Sequence, residues 1–368
     1  MLRRQAFNGP RWPGVMLGLW ALGTVVVVPA AAAEVSPAMK ELIAAAQKEG
    51  TVSVSYGTSS LGGAKGAKQI EAAMNKLFGT KIDVRYGPGP AMARVANQLM
   101  TEGKAGQPAF TDMFVSAAAQ HTPLVERKML LAVDWKALLP DRIPNAAIEE
   151  DGMALRVGTG MSGVTYNSEA APFKPTRLAD FLDPRWKGKI ASTPYAASFD
   201  SLAANDMWGP KKTLDFLNKL SGQIAGLIRC GDMERIASRE FAALVMDCTG
   251  QNALVWQEKG APIAQMIPLD AAQLRYYYTS VPKHTRHPAA AKLFVAFLQT
   301  PEGQKIIWDT WKVDLHLYPE SQMAKQVAEL KAAGAEPKEV TISWWMKHPE
   351  ITKTQRQMVK ILRKNKKK

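Results

Sequence analysis

The chain has 368 residues, 46% apolar and 22% charged, which is the balance of a soluble globular protein long enough for two domains with a core each. The net charge is +14, yet six of the nine residues Lys360 to Lys368 are Lys or Arg, so much of it reads as a solvated helix end. No basic–aromatic motif accompanies it, and a nucleic-acid partner is not expected.

Residues 1–33 read as a secretory signal peptide. Arg3, Arg4 and Arg11 form a basic leader, Val15 to Val28 is an apolar stretch too short to span a bilayer comfortably, and Pro29 to Ala33 supplies the small residues a signal peptidase reads. Cleavage after Ala33 leaves 44 basic against 33 acidic residues, a charge of +11. A periplasmic location follows, and in that oxidising compartment Cys230 and Cys248 are expected to pair rather than stay free. Their spacing matches no zinc pattern.

The mature chain opens with a helix over "SPAMKELIAAAQKEG": Ser36 caps it, Pro37 suits its first turn and Gly50 stops it. Met39, Leu42, Ile43 and Ala46 share its inner face. Three strand–helix units follow. Strands are predicted at 51–57, 81–87 and 111–116, with Ile70, Met74, Leu77 and Phe78 striping the first following helix and Met92, Val95 and Leu99 the second. A second set has strands at 162–167, 189–192, 226–230, 243–249 and 263–268, with helices near 199–220, 233–241 and 250–259. From His287 onward the chain is helical again. This alternation predicts parallel sheet covered by helices on both faces. The two halves are expected to join through strands near 155–162 and 266–280.

Three passages carry a resemblance. "AAAQKEGTVSVSYGTSS" resembles the opening of bacterial solute-binding proteins of the ferric-iron and organic-solute type; "VTYNSEAAPFKPTRLADFLDPRWKGKIA" (164–191) is the most specific match; "HPAAAKLFVAFLQTPEGQKII" (287–307) is similar to that family's late helix pair. The likeness runs in order along nearly the whole mature chain. It implies the type 2 periplasmic binding protein fold: two α/β lobes, crossing hinge strands and a ligand cleft between. Residues 34–158 and 269–368 would form the first lobe and 159–268 the second. The implied role is the extracytoplasmic solute-binding component of an ABC importer, a monomer that needs no cofactor and docks on permease subunits in the inner membrane. Within the middle match, "DPRWKGK" reads as a packing turn around Trp186 rather than a ligand contact.

Strand ends select the site, because ligands of open α/β sheets bind outside the carboxyl ends of the strands. The first lobe offers Tyr56, Gly57, Thr58, Ser59, Gly87, Ser116 and Ala117; the second offers Tyr195, Ser198, Thr249, Gly250 and Gln251. Hydroxyls and small residues feeding helix N-termini suit an anionic group. The expected solute is therefore a small organic anion: a carboxylate, phosphonate or phosphate ester. Two alternatives stand beside it, a ferric-iron carrier and a solute-sensing input to a membrane receptor. The ferric alternative draws on "YYYTSVPKHTRH", which holds Tyr276, Tyr277, Tyr278, His284 and His287. On a strand, however, Tyr276 and Tyr278 share one face while Tyr277 points the other way, so the three phenols do not converge on one ion. The stretch matching the family's iron tyrosines, "LVMDCTGQNALVWQ", contains no tyrosine. An enzyme is not expected: there is no nucleophile elbow, zincin or dinucleotide fingerprint, and "GTSSLGGAKG" lacks the Gly-Lys-Ser/Thr of a phosphate loop.

Overall fold

Residues Val35–Lys364 are described by the structure, a computed structural model. Residues 1–34, which include the expected signal peptide, and the last four residues lie outside the described residues. The first helix, Pro37–Glu49, follows its sequence: the Ser36 hydroxyl accepts from the Met39 amide at 3.1 Å, and Gly50 closes the helix at φ +67°. Met39, Leu42 and Ala46 are buried, with Ile43 half-buried beside them.

Five strands come before the first crossing: β1 (Thr51–Tyr56), β2 (Asp83–Pro88), β3 (Phe114–Ala117), β4 (Ile148–Glu149) and β5 (Ala154–Met161). Five more form the second sheet: β6 (Val164–Asn167), β7 (Ile190–Ser192), β8 (Ile224–Leu227), β9 (Ala243–Val245) and β10 (Ile263–Met266). The chain then returns through β11 (Gln273–Ser280) and adds β12 (Lys338–Val340). In the first lobe β1 and β2 are parallel, a Val54–Met113 bridge leads towards β3, and β11 lies antiparallel to both β3 and β5. In the second the order is β10-β6-β9-β7-β8, with β7 parallel to β8 and β9. The crossings fall at Met161–Val164, which runs two residues past the range read from the sequence, and at Met266–Gln273, which lies within its range. From Ser36 on, the chain is one compact unit.

Each lobe has its own apolar core. Val52, Val54, Phe114, Leu155, Val157, Phe294 and Phe297 belong to the first. Val164, Phe181, Trp186, Phe199, Leu217 and Val245 belong to the second. Trp186 is fully buried, its ring 4.8 Å from Phe181 and 5.5 Å from Phe173, so "DPRWKGK" packs the second lobe. Burying a side chain of that size stabilises by about 3 kcal/mol.

Several elements depart from the sequence reading. Leu77, expected on the inner stripe of Gly63–Phe78, is 45% exposed. The strand expected at 243–249 ends at Val245, because Met246 turns to φ +57°. The helix expected at 233–241 shrinks to Glu234–Ala237, with Arg239 at φ +69° just beyond it. The largest change is at the C-terminus. Helix Pro349–Lys364 packs on helices Phe199–Leu202 and Gly209–Ser221, and its Met358 and Leu362 join the second core, although this segment was expected in the first lobe with a solvated end. Ile351, Thr354, Met358 and Leu362 are its buried residues, spaced three or four apart. The dense basic residues between them obscure that stripe in the sequence. No helix among the described residues is long and apolar enough to cross a membrane.

Candidate functional site

The tyrosine run sits on β11, and the alternation of the strand divides it. Tyr278 is buried in the first core, where its hydroxyl donates to Glu149 at 2.7 Å. Tyr276 is buried as well, under the Arg156 guanidinium at 4.1 Å. Burial raises both phenols above their ordinary pKa, which disfavours the phenolate a hard metal would need. His287 is likewise committed, its Nδ1 lying 2.8 Å from Asp112. It does not cap the helix that follows; Glu49 accepts from the Ala289 and Ala290 amides there.

Tyr277 faces the other way and reaches the second lobe. Thr249 donates to Gln251 Oε1, Gln251 Nε2 donates to the Tyr277 oxygen at 3.1 Å, and that hydroxyl lies 3.2 Å from Thr249 Oγ1. The three close a ring of hydrogen bonds across the lobes. The Tyr277 ring rests on Trp311 with centroids 4.3 Å apart. Close approach of the lobes depends on Gly160 of β5, where a Cβ would stand 2.3 Å from Thr249 Cβ.

The second-lobe half of the site is tied together from below. Cys230 and Cys248 form the expected disulfide, with Cα atoms 5.8 Å apart. The Tyr195 hydroxyl accepts from the Cys230 amide at 3.2 Å and lies 3.3 Å from its sulfur. Ser198, at φ +62°, donates to Ser162 Oγ and lies 2.8 Å from the Asp247 carbonyl. Asp247 is buried without a cation. Thr165 donates to its carboxylate, and the Gly250 amide does so at 3.1 Å. Loss of water around it raises its pKa to about 6. Gly250 is required as glycine, since φ is +72° and a Cβ would overlap the Gln265 side chain.

The structure thus gathers Tyr195, Ser198, Thr249, Gly250 and Gln251 around the Cys230–Cys248 bridge and brings Tyr277 to them. The first-lobe candidates are more scattered. Tyr56 is buried under Tyr86 at the end of β1, with ring centroids 4.9 Å apart, while Thr58 and Ser59 are exposed on their turn and Gly57 half-buried. Gly87 lies at the end of β2 opposite Ser55. Ala117 pairs with Tyr277 at the end of β3. The Ser116 side chain is fully buried and hydrogen-bonded to His121 at 2.7 Å, so it turns into the core and away from the strand ends. Sequence reasoning missed Lys312, whose ammonium meets Glu258 of the second lobe at 2.8 Å, along with Trp311, Asp247 and Gln265. Only the alternation of the tyrosines gave a signal: it set Tyr277 apart from Tyr276 and Tyr278 without telling which side meets the cleft.

Helices of eight residues or more that start at the strand-end loops share one trait. Those beginning at Gly63, Met92, Ala118 and Gln251 have no N-cap side-chain hydrogen bond, a trait shared by helices Gly209–Ser221 and Pro288–Phe297, whereas Ser36, Thr300, Ser321 and Thr341 cap helices elsewhere. A hollow of about 240 Å³ lined by Lys136, Arg142 and Tyr318 belongs to the first lobe alone and touches none of these groups. Among the described residues no three His, Cys, Asp or Glu side chains are grouped to hold a metal ion.

Residues 67–337 match the model of the bacterial extracellular solute-binding proteins. The chain belongs to that family. An uncharacterized protein of Haemophilus influenzae is 29% identical over 253 residues, covering 63% of this chain and 70% of its own. The fold is similar to that of iron-bound HitA from Pseudomonas aeruginosa, with a TM-score of 0.64 and 18% identity over 84% of this chain and 99% of that one. It is also similar to the periplasmic binding protein AfuA from Actinobacillus pleuropneumoniae with fructose-6-phosphate bound, with a TM-score of 0.59 and 16% identity over 86% and 97%. This solute-binding protein therefore has the two-lobed fold of the periplasmic binding proteins that serve ABC importers. Its family members are binding and transport proteins located outside the cytoplasm. Residues 338–364 lie beyond the family match and include the helix that packs on the second lobe.

Proposed function

We propose that this solute-binding protein captures a small organic anion by lobe closure and hands it to the permease of an ABC importer, acting as a periplasmic monomer without a catalytic step. The supporting observation is the meeting of Tyr277 with Thr249 and Gln251 at the strand ends. These groups are hydroxyl and amide donors, set beside helix starts whose first-turn N–H groups have no side-chain acceptor. Such donors complement a carboxylate, phosphonate or phosphate ester. Binding between the lobes would exchange the Tyr277–Gln251 contact for contacts to the solute and draw the lobes around it.

The ferric alternative finds less support. Tyr276 and Tyr278 are committed to the first core, which leaves Tyr277 as the one phenol of the run at the lobe interface. Purified protein titrated with ferric citrate is expected to stay colourless, whereas a red-orange charge-transfer band lost on Tyr277→Phe would restore the iron reading. Two like-charge variants test the anionic reading once an anion has been found to bind. Thr249→Asp and Ser59→Asp should each weaken it, and unchanged affinity in both would remove these loops from the site.

A further inference from the structure

Among the described residues, Lys312 is a buried cation at the lobe interface whose partner is exposed and can be given up, whereas Lys338, which meets Asp206, is itself 36% exposed. Lys312 follows helix Pro301–Trp311, fixed at φ +59° with its amide bonded to the Ile307 and Trp308 carbonyls. A cation is favourable at a helix C-terminus, but that alone does not draw the side chain across to the other lobe. The ammonium lies 2.8 Å from Glu258, the last residue of helix Gln251–Glu258, and 5.1 Å from the centre of the Trp308 ring. Gln251, the first residue of that helix, is held by Tyr277. Tyr277 and Lys312 therefore grip the two ends of one second-lobe helix from the first-lobe side.

The pair is asymmetric. The Lys312 side chain is 9% exposed and Glu258 is 59% exposed. Arg275, also on β11, differs, because its partner Asp200 is buried rather than exposed and the guanidinium also binds Ser201. Arg156 is sealed against buried Glu149 in the same way. A buried ammonium left without a counter-charge is costly, whereas an exposed carboxylate returns to water with little loss.

We propose that Lys312 is the specificity-determining cation of the cleft, with Glu258 standing in for the anionic group of the solute until that group displaces it. The inference rests on the reading of the site as one for a small organic anion. It predicts opposite effects for the two partners: loss of Lys312 removes a charged contact to the solute, while loss of the Glu258 charge removes the solute's competitor. If the pair were only a latch that holds the lobes shut, the two losses would act in the same direction.

The test is calorimetric titration of full-length mature protein with inorganic phosphate, fructose 6-phosphate, citrate, glutarate and phosphonoacetate, on wild type, Lys312→Met, Lys312→Arg and Glu258→Gln. Thermal unfolding of each variant checks that it is folded. For an anion that wild type binds, Lys312→Met should weaken affinity about tenfold or more, Lys312→Arg should restore most of it, and Glu258→Gln should tighten it severalfold. Equal affinity in wild type and Lys312→Met overturns the role of Lys312 and leaves the anionic site standing. So does a weakening in Glu258→Gln that matches Lys312→Met. Wild type that binds none of the five overturns the anionic reading itself, and the role of Lys312 with it.

Discussion

Tyr277 accepts a hydrogen bond from Gln251 at 3.1 Å, so a hinge strand of the first lobe holds the helix at the mouth of the second. Removing that hydroxyl should loosen the closed form without disturbing either core. Tyr277→Phe is expected to enlarge the radius of gyration in solution scattering and to shift unfolding only slightly. Tyr278→Phe should do the reverse, because its hydroxyl serves buried Glu149: stability falls by about 1–3 kcal/mol while the dimensions stay the same. If both variants lower stability equally at unchanged dimensions, the division of the tyrosines between core and cleft is wrong.

Gly160 allows the same closure from the other crossing strand. Gly160→Ala places a methyl group against Thr249 and should act as a wedge, favouring an open form that binds ligand more weakly. Solution scattering should show the expected expansion, and an unchanged profile would mean that Thr249 moves aside freely.

Much of this was legible in the sequence because the patterns were local. The Ser36 cap and the Gly50 stop fix the first helix, and alternation along β11 placed Tyr277 opposite Tyr276 and Tyr278. The Cys230–Cys248 bridge followed from compartment and count. The errors came from tertiary context. Ser116 reads as a strand-end hydroxyl, but buried His121 behind it claims the side chain. Lys312 looks like an ordinary basic residue after a helix, and only the fold reveals that Glu258 stands opposite. The basic C-terminus concealed Met358 and Leu362, which need the second lobe to give their stripe a partner.

The disulfide should matter to the site as well as to the fold, since Asn252 donates to the Cys230 carbonyl and Ser162 to that of Cys248. Paired Cys230→Ser and Cys248→Ser substitutions should cost about 3 kcal/mol of stability and weaken ligand binding. Non-reduced periplasmic protein should show a mass deficit of about two hydrogens. Two freely alkylated thiols in that sample would refute the bridge.

Two buried groups give the stability profile opposite slopes. Burial raises Asp247 from the usual carboxylate range to about 6, so its contribution is full at low pH and is lost as pH rises from about 4 to 6. Burial lowers His121 to about 3, so its contribution is full above about 6.5 and is lost on acidification towards 3. Asp247→Asn should therefore gain stability at pH 8, roughly 3 kcal/mol at most, and lose it more steeply than wild type as pH falls to 4. Identical melting profiles for the two proteins would show that Asp247 is not held uncompensated.

The central claim is that the cleft selects a small organic anion, and thermal unfolding of the mature protein against a library of small solutes tests it most directly. Carboxylates, phosphonates or phosphate esters held at about 100 times their dissociation constant should stabilise the fold by about 2.7 kcal/mol, with no matching shift from polyamines or neutral sugars and none from ferric citrate beyond that of citrate alone. Stabilisation by an amine, a neutral sugar or ferric iron, with none from any anion, would contradict it.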